Sequence, residues 1–186
     1  MATWKFDPAH TTVSFSARHM MVTTVRGRFD PPTGVLSFDP QNPAASSVEA
    51  EIAASTVNTG VEMRDNHLRS ADFLEAETYP TLTFKSTKVE VTDENEGKVT
   101  GDLTIHGVTR PVTLNVEYLG LVNSPFGDQR AGFTASTKIN REDWGLTYNM
   151  AIEAGGVLVG KDIKIELDVE AILVPETEGE SATAAV

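Results

Sequence analysis

Ile163-Lys-Ile-Glu-Leu-Asp-Val-Glu-Ala-Ile-Leu173 is the stretch from which the fold can be read. Ile163, Ile165, Leu167, Val169, Ala171 and Leu173 fall on one parity, and Lys164, Glu166, Asp168 and Glu170 fill the other. Successive strand side chains point to opposite faces, so this run is a long strand with one face in an apolar interior and one in water. The same alternation recurs in Val112, Leu114, Val116 and Tyr118, and in Val99, Leu103 and Ile105. It recurs again in Val13, Phe15 and Ala17, and in Phe133, Ala135, Thr137 and Ile139. Leu82 and Phe84 share one parity but Val89 and Val91 the other, which predicts a β-bulge near Ser86 to Lys88.

Turn signals punctuate these runs at Asp30-Pro-Pro-Thr-Gly34, Asp39-Pro-Gln-Asn-Pro43, Asp93-Glu-Asn-Glu-Gly97, His106-Gly107 and Asn123-Ser-Pro-Phe-Gly127. About eight antiparallel strands result, and closing them into a barrel removes exposed edges while leaving room for one small ligand. The expected fold is all-β: a closed antiparallel barrel of lipocalin-like type. One segment breaks the pattern, between Asn58 and Pro80. Val61, Leu68 and Phe73 have helical spacing, Asn58 or Thr59 is a candidate cap, and Tyr79-Pro80 forces extension afterwards. This helical insert is long enough to cover one barrel end.

With 186 residues, 40% of them hydrophobic, the chain suits one domain over residues 1–174. Residues 175–186 are small, polar and acidic, and read as a disordered tail. There is no cysteine, which excludes disulfides, thiolate metal sites and a cysteine nucleophile. Neither a leader peptide nor an apolar run long enough for a transmembrane helix is visible, so the expectation is a soluble, cytoplasmic protein without stable membrane insertion. A net charge of −12 opposes nucleic acids and anionic bilayers, so any basic site must be local. A homodimer is compatible with the sequence.

Four polar groups stand at positions where chemistry is conceivable. His19 continues the parity of Val13, Phe15 and Ala17, and Arg141 continues that of Phe133, Ala135, Thr137 and Ile139, so both belong at a barrel rim. Each reads either as a ligand for a polar head group or as a rim residue paired with a carboxylate, Glu142 or Asp143 in the case of Arg141. Arg64 and His67 share a helix face that either grips an oxygen-rich head group or lies solvated, balanced by Asp65 and Asp72. A simple up-and-down strand count places His19 at the rim opposite Arg141 and the helix. His10, His19, His67 and His106 lack zinc-motif spacing, so no metal is expected, and Asp102, Thr104 and His106 read as solvated strand polarity rather than a triad. No catalytic residue is assigned. Gly155-Gly-Val-Leu-Val-Gly160 lacks the P-loop lysine and reads as a bend or close approach. Trp4, Trp144 and Tyr148 flank strand ends, where they fill the core or wall a cavity with polar atoms reaching water.

Several of these segments together, Arg64-Asp-Asn-His67-Leu-Arg-Ser70-Ala-Asp-Phe73-Leu, Gly101-Asp-Leu-Thr-Ile-His106-Gly-Val-Thr-Arg110-Pro-Val, Ile139-Asn-Arg141-Glu-Asp-Trp144-Gly-Leu and His10-Thr-Thr-Val-Ser-Phe15-Ser-Ala-Arg-His19, resemble the YceI-like family of polyisoprenoid-binding proteins over Trp4 to Ile172. The resemblance implies an elongated apolar tunnel holding a polyprenyl chain such as an isoprenoid quinone or polyprenyl phosphate, with no other cofactor. Its tail would lie against Val13, Phe15, Ala17, Phe84, Leu103, Phe133, Ile139, Trp144, Tyr148 and Leu167, and its head against His19, Arg64, His67 and Arg141. The rival readings are an enzyme acting on a prenyl or other lipid, for which His19 alone has suitable parity, and a structural barrel whose interior is filled by side chains.

Overall fold

The computed structural model describes residues 1–153 and 155–175, so the expected tail lies outside them apart from Pro175. Strands are β1 Ala2–Phe6, β2 Thr12–His19, β3 Thr23–Phe29, β4 Thr33–Phe38, β5 Ser47–Ala53, β6 Thr81–Val91, β7 Glu96–Ile105, β8 Val108–Asn123, β9 Gln129–Asn140, β10 Ala151–Ile152, β11 Gly156–Val157 and β12 Val159–Leu173, with one α-helix, α1 Glu62–Arg69. Ten of these strands form one antiparallel sheet that closes on itself through β1 and β12. Although ten strands take part, they make eight barrel staves. β1 and β2 lie end to end along the same edge of β12, with Trp4 opposite Leu173 and His19 opposite Val159. β3 and β4 likewise lie end to end, each pairing with one of those two strands.

The interruptions follow from local chemistry. At Asp7-Pro8 the backbone N–H of Asp7 still bonds the carbonyl of Glu170 at 2.8 Å, but Pro8 has no donor and the Asp7 carboxylate takes the Ala9 N–H instead. Pro31-Pro32 removes two donors between β3 and β4, so Asp30-Pro-Pro-Thr-Gly34, expected as a turn, is a break between two collinear strands. The bulge between Ser86 and Lys88 is present, and the Ser86 hydroxyl accepts from the Val48 N–H at 2.9 Å.

β12 runs between β2 and β9, antiparallel to both. β2 and β9 therefore point the same way, and His19 and Asn140-Arg141 finish at the same rim. The α1 insert leaves from Ala53 of β5 and returns at Thr81 of β6, which pair at that rim too. The simple alternating count fails because β1 and β2, and likewise β3 and β4, follow one another without reversing direction. This end is called the cover rim below.

Apolar packing is concentrated at the two ends. Near the cover rim, Ile105, Val112, Ile139, Trp144 and Leu146 form one buried cluster. At the far end Trp4, Phe38, Ala131 and Ala171 form the second, with Tyr118 and Phe133 against it. Phe38 meets Phe133 edge-on at 5.0 Å between ring centroids and Tyr118 at 5.2 Å. The indole N–H groups of Trp4 and Trp144 do not reach water as expected: they donate to the carbonyls of Phe38 and Leu103, at 3.1 and 3.0 Å. Each would otherwise be a buried donor without a partner.

Outside the far cluster, Arg130 ties β9 to β1 and β12 by pairing with Asp7, Asp128 and Glu170. Its neighbours hold its pKa above the ordinary value, first Asp128, then Glu170. The His10 imidazole sits 2.9 Å from Asp7 and 3.7 Å from Glu170, and the Asp7 hydrogen bond raises its pKa while that same bond lowers the pKa of Asp7. A folded-state pKa above the unfolded value adds stability that is complete below about pH 6.5 and fades as pH climbs through the raised value. The expected result is that wild type exceeds His10→Ala in urea midpoint at pH 6, and that this gap shrinks by pH 9; an equal gap at both pH values would remove His10 from the clasp.

Candidate functional site: an apolar cavity with a cationic end

The two packed clusters do not meet. Between them lies a cavity of about 960 Å³, at the upper end of the range common for small-molecule sites. The interior is thus hollow, and the reading of a barrel filled by side chains is overturned. All ten positions expected along a tail, Val13, Phe15, Ala17, Phe84, Leu103, Phe133, Ile139, Trp144, Tyr148 and Leu167, line it. For the eight that lie on strands the reason is parity, since with a period of two the apolar face of a stave is its inner face; Trp144 and Tyr148 come instead from the segment after β9.

His19, Arg64, His67 and Arg141 line the same cavity, all at the cover rim. Their surroundings differ. Arg141 begins the short turn Arg141–Trp144 and is only 3% exposed. It does not pair with Glu142 or Asp143 as one reading expected. Its guanidinium donates to the backbone carbonyls of Leu146, Val159 and Gly160, one bond from each nitrogen. A guanidinium carries five N–H donors, so two have no protein acceptor among the described residues. Glu142 turns instead to Lys161 at 3.1 Å. Burial pushes the Arg141 pKa below its ordinary value, against a smaller upward pull from Glu142. A buried cation that borders a cavity and meets only carbonyls is a place where an anionic or carbonyl oxygen would find unspent donors and an uncompensated charge.

α1 starts later than the expected caps. Its first turn follows Val61, with no side-chain cap, and Asn58 bonds Gly60 instead. Asp65 instead reaches back from within the helix: buried, it accepts from both the N–H and the hydroxyl of Thr59, at 2.8 and 2.6 Å. Asp65 therefore anchors the incoming loop rather than balancing a solvated face. Arg64 reaches back to the Thr59 hydroxyl at 2.7 Å and carbonyl at 3.0 Å, and Arg69 binds the carbonyls of Ser55 and Val57. His67 lies 2.8 Å from Asp72 and packs edge-on to Tyr148 and Phe73, with centroids 4.8 and 5.0 Å away. These contacts fix the helix across the barrel end. His19 reaches the rim next to Val159, and no hydrogen bond to its ring is found among the described residues.

His106 is not the solvated strand residue expected. It occupies the hairpin turn with a positive φ of 52°, meets Glu75 at 3.1 Å and packs on Tyr79, tying the insert to the hairpin between β7 and β8. Gly155 lies in the turn before β11 and Gly156 begins that strand, where a Cβ would lie 2.5 Å from the Met21 sulfur, so this is the close approach the glycines suggested. The sequence offered Thr59 only as a helix cap and not as the hydroxyl that joins Arg64 to Asp65, and it gave no sign of Asn149, whose amide clasps both backbone groups of Val159. A threonine five residues before an arginine was the only available signal for the first.

A model of the YceI-like domain matches residues 4–171. The chain belongs to the YceI-like family. A UPF0312 protein of Staphylococcus aureus (strain N315) is 39% identical over 171 residues, covering 91% of this chain and 97% of that relative. Among solved structures, the YceI protein of Campylobacter jejuni is 34% identical with a TM-score of 0.73, over 85% of this chain and 90% of that one. At lower identity the likeness concerns the YceI-like fold alone. BcnA of Burkholderia cenocepacia superposes with a TM-score of 0.78 at 24% identity, over 89% and 98% of the two chains. A polyisoprenoid-binding domain from Saccharophagus degradans, implicated in plant cell wall breakdown, gives 0.67 at 17%, over 94% and 99%.

Proposed function

We propose that this chain binds one long-chain amphiphilic lipid of the polyisoprenoid class, such as an isoprenoid quinone or polyprenyl phosphate, for storage, transport or sequestration. The tail lies along the inner faces of the staves, and the head meets Arg141, with His19, Arg64 and His67 around it. The observation that carries this reading is the joint presence of an apolar cavity of about 960 Å³ and a buried, carboxylate-free Arg141 at its end. The polyisoprenoid-binding domain of Saccharophagus degradans, which has the same fold, supports the ligand class. Tail burial at roughly 0.8 kcal/mol per methylene supplies the affinity, while a charge-assisted head contact of roughly 1.5 to 3 kcal/mol supplies the choice among lipids.

At the cavity His67 is held by Asp72, and neither its ring nor that of His19 is hydrogen-bonded to a hydroxyl among the described residues, so the lipid is expected to leave chemically unchanged. Organic extraction and native mass spectrometry of the purified chain should recover about one intact apolar molecule per barrel, since such a cavity encloses a single ligand. Absence of lipid, together with no saturable uptake of an added prenyl quinone, would overturn the proposal. Turnover of labelled polyprenyl phosphate that His19→Ala lacks would replace it with an enzyme.

A further inference from the structure

Residues 8–29 contain no aspartate or glutamate, in a chain that carries 27 of them. This acid-free stretch is the hairpin of β2 and β3. Its outer face holds Arg18, Arg26 and Arg28, all exposed, and none pairs with a carboxylate among the described residues. The tip is Met20-Met21-Val22, with Met21 63% and Val22 73% exposed. Both methionines have positive φ, 51° and 63°, and the Val22 N–H closes the turn on the His19 carbonyl. That is the φ pattern of a type I′ turn, which Asn-Gly adopts with little strain and methionine does not. Backbone strain that places apolar side chains in water is unexplained by folding alone.

The tip has apolar company. The Met20 N–H bonds the carbonyl of Leu158, and the Leu158 N–H bonds that of Met150, a third exposed methionine. Met63 of α1, 81% exposed, lines the cavity mouth. Exposed apolar groups thus form a broken crown at the cover rim, backed on one side by arginines that meet no carboxylate among the described residues.

We infer that the hairpin of β2 and β3 is a membrane-docking element: Met20, Met21 and Val22 enter the acyl boundary of a bilayer while Arg18, Arg26 and Arg28 meet anionic lipid headgroups. Exposed apolar residues with basic groups behind them, Arg18 two residues before Met20 and Arg26 and Arg28 four and six residues after Val22, have the layering of a bilayer interface. The whole chain carries a net charge of −12 although this hairpin adds three arginines and no acid, so the rest of the molecule is more negative still and is repelled by the same surface, which favours the orientation with the hairpin facing the lipid. The docking surface stands on the hairpin's own geometry; its use in loading the cavity rests on the function proposed above.

The test is sedimentation with vesicles of phosphatidylcholine, alone or mixed with phosphatidylglycerol, at low salt. Wild type should partition onto the anionic vesicles at least about tenfold more strongly than onto neutral ones, and lose this in high salt. Met20→Asn with Met21→Gly should weaken partitioning by about tenfold yet raise Tm, because the turn is relieved of strain while its apolar tip is gone. Replacing Arg26 and Arg28 by glutamine, which leaves Arg18 at the cavity lining untouched, should weaken it several-fold. Uptake of a soluble fluorescent prenyl probe should be unchanged in both variants. Wild type that ignores anionic vesicles, as it would if the crown received a protein, overturns docking, as do variants that sediment like wild type. Vesicle binding by a chain that takes up no probe upholds docking and overturns the lipid-binding cavity.

Discussion

Replacing Ala17 and Ala135 together by tryptophan is expected to reduce affinity for a long-chain lipid at least about a hundredfold while leaving the fold intact. Ala17 on β2 and Ala135 on β9 flank β12 from either side, opposite Ile163 and Leu167 respectively, and both line the cavity. Two indoles there would displace a length of tail; losing only four buried methylenes, at roughly 0.8 kcal/mol each, already exceeds the roughly 2.8 kcal/mol that a factor of one hundred represents. In a packed core such substitutions would strain rotamers and backbone. Here the added rings enter empty space of about 960 Å³, so Tm should hold or rise. The loss should also grow with tail length, since a short ligand can avoid the blocked segment. Titration of wild type and variant with prenyl quinones of two lengths measures both effects. Unchanged affinity for the longer quinone would place the ligand outside the barrel.

The interior was legible in the sequence because strand periodicity is local. Each of Val13, Phe15, Ala17, Phe133 and Leu167 carries its own parity, and the register of neighbours does not alter which face is apolar. The hollow was not legible, since the same apolar faces would serve a filled barrel. Whether two end clusters such as Trp4–Phe38 and Ile139–Trp144 meet in the middle depends on side-chain reach in three dimensions.

The common rim of His19 and Arg141 was hidden for a topological reason. A strand count assumes that each break reverses the chain, whereas Asp7-Pro8 and Pro31-Pro32 interrupt the ladder without reversing it. The acid-free hairpin, by contrast, is legible in the sequence from residue 8 to residue 29, although a whole-chain charge of −12 averages it away. Arg141 misled in another way. Adjacent carboxylates suggest an ion pair, but on the tight turn Arg141–Trp144 successive side chains diverge, and the true acceptors are backbone carbonyls, which every residue has and no sequence pattern marks.

Arg141→Met is expected to act on stability and on head-group choice, and the two effects separate. Removing the guanidinium leaves the carbonyls of Leu146 and Gly160 without those donors, at roughly 1 kcal/mol or more each, while the Val159 carbonyl keeps the Asn149 amide; the loss is partly offset because a buried charge no longer has to be kept from water. A net loss of about 2 kcal/mol in urea denaturation follows. If Arg141 were merely a brace for the β9 to β12 connection, looser walls would weaken every ligand alike. If its remaining donors meet the head, a polyprenyl phosphate should lose about ten- to a hundredfold, equivalent to roughly 1.4 to 2.8 kcal/mol, whereas a head-less polyprenyl hydrocarbon of the same length should bind almost as before. The ratio of the two affinities is therefore the deciding quantity. Arg141→Lys, which keeps the charge but not the planar fork, should recover part of that ratio while remaining less stable than wild type, because one ammonium cannot span three separate carbonyls. An affinity ratio identical in wild type and Arg141→Met would confine Arg141 to holding the rim together.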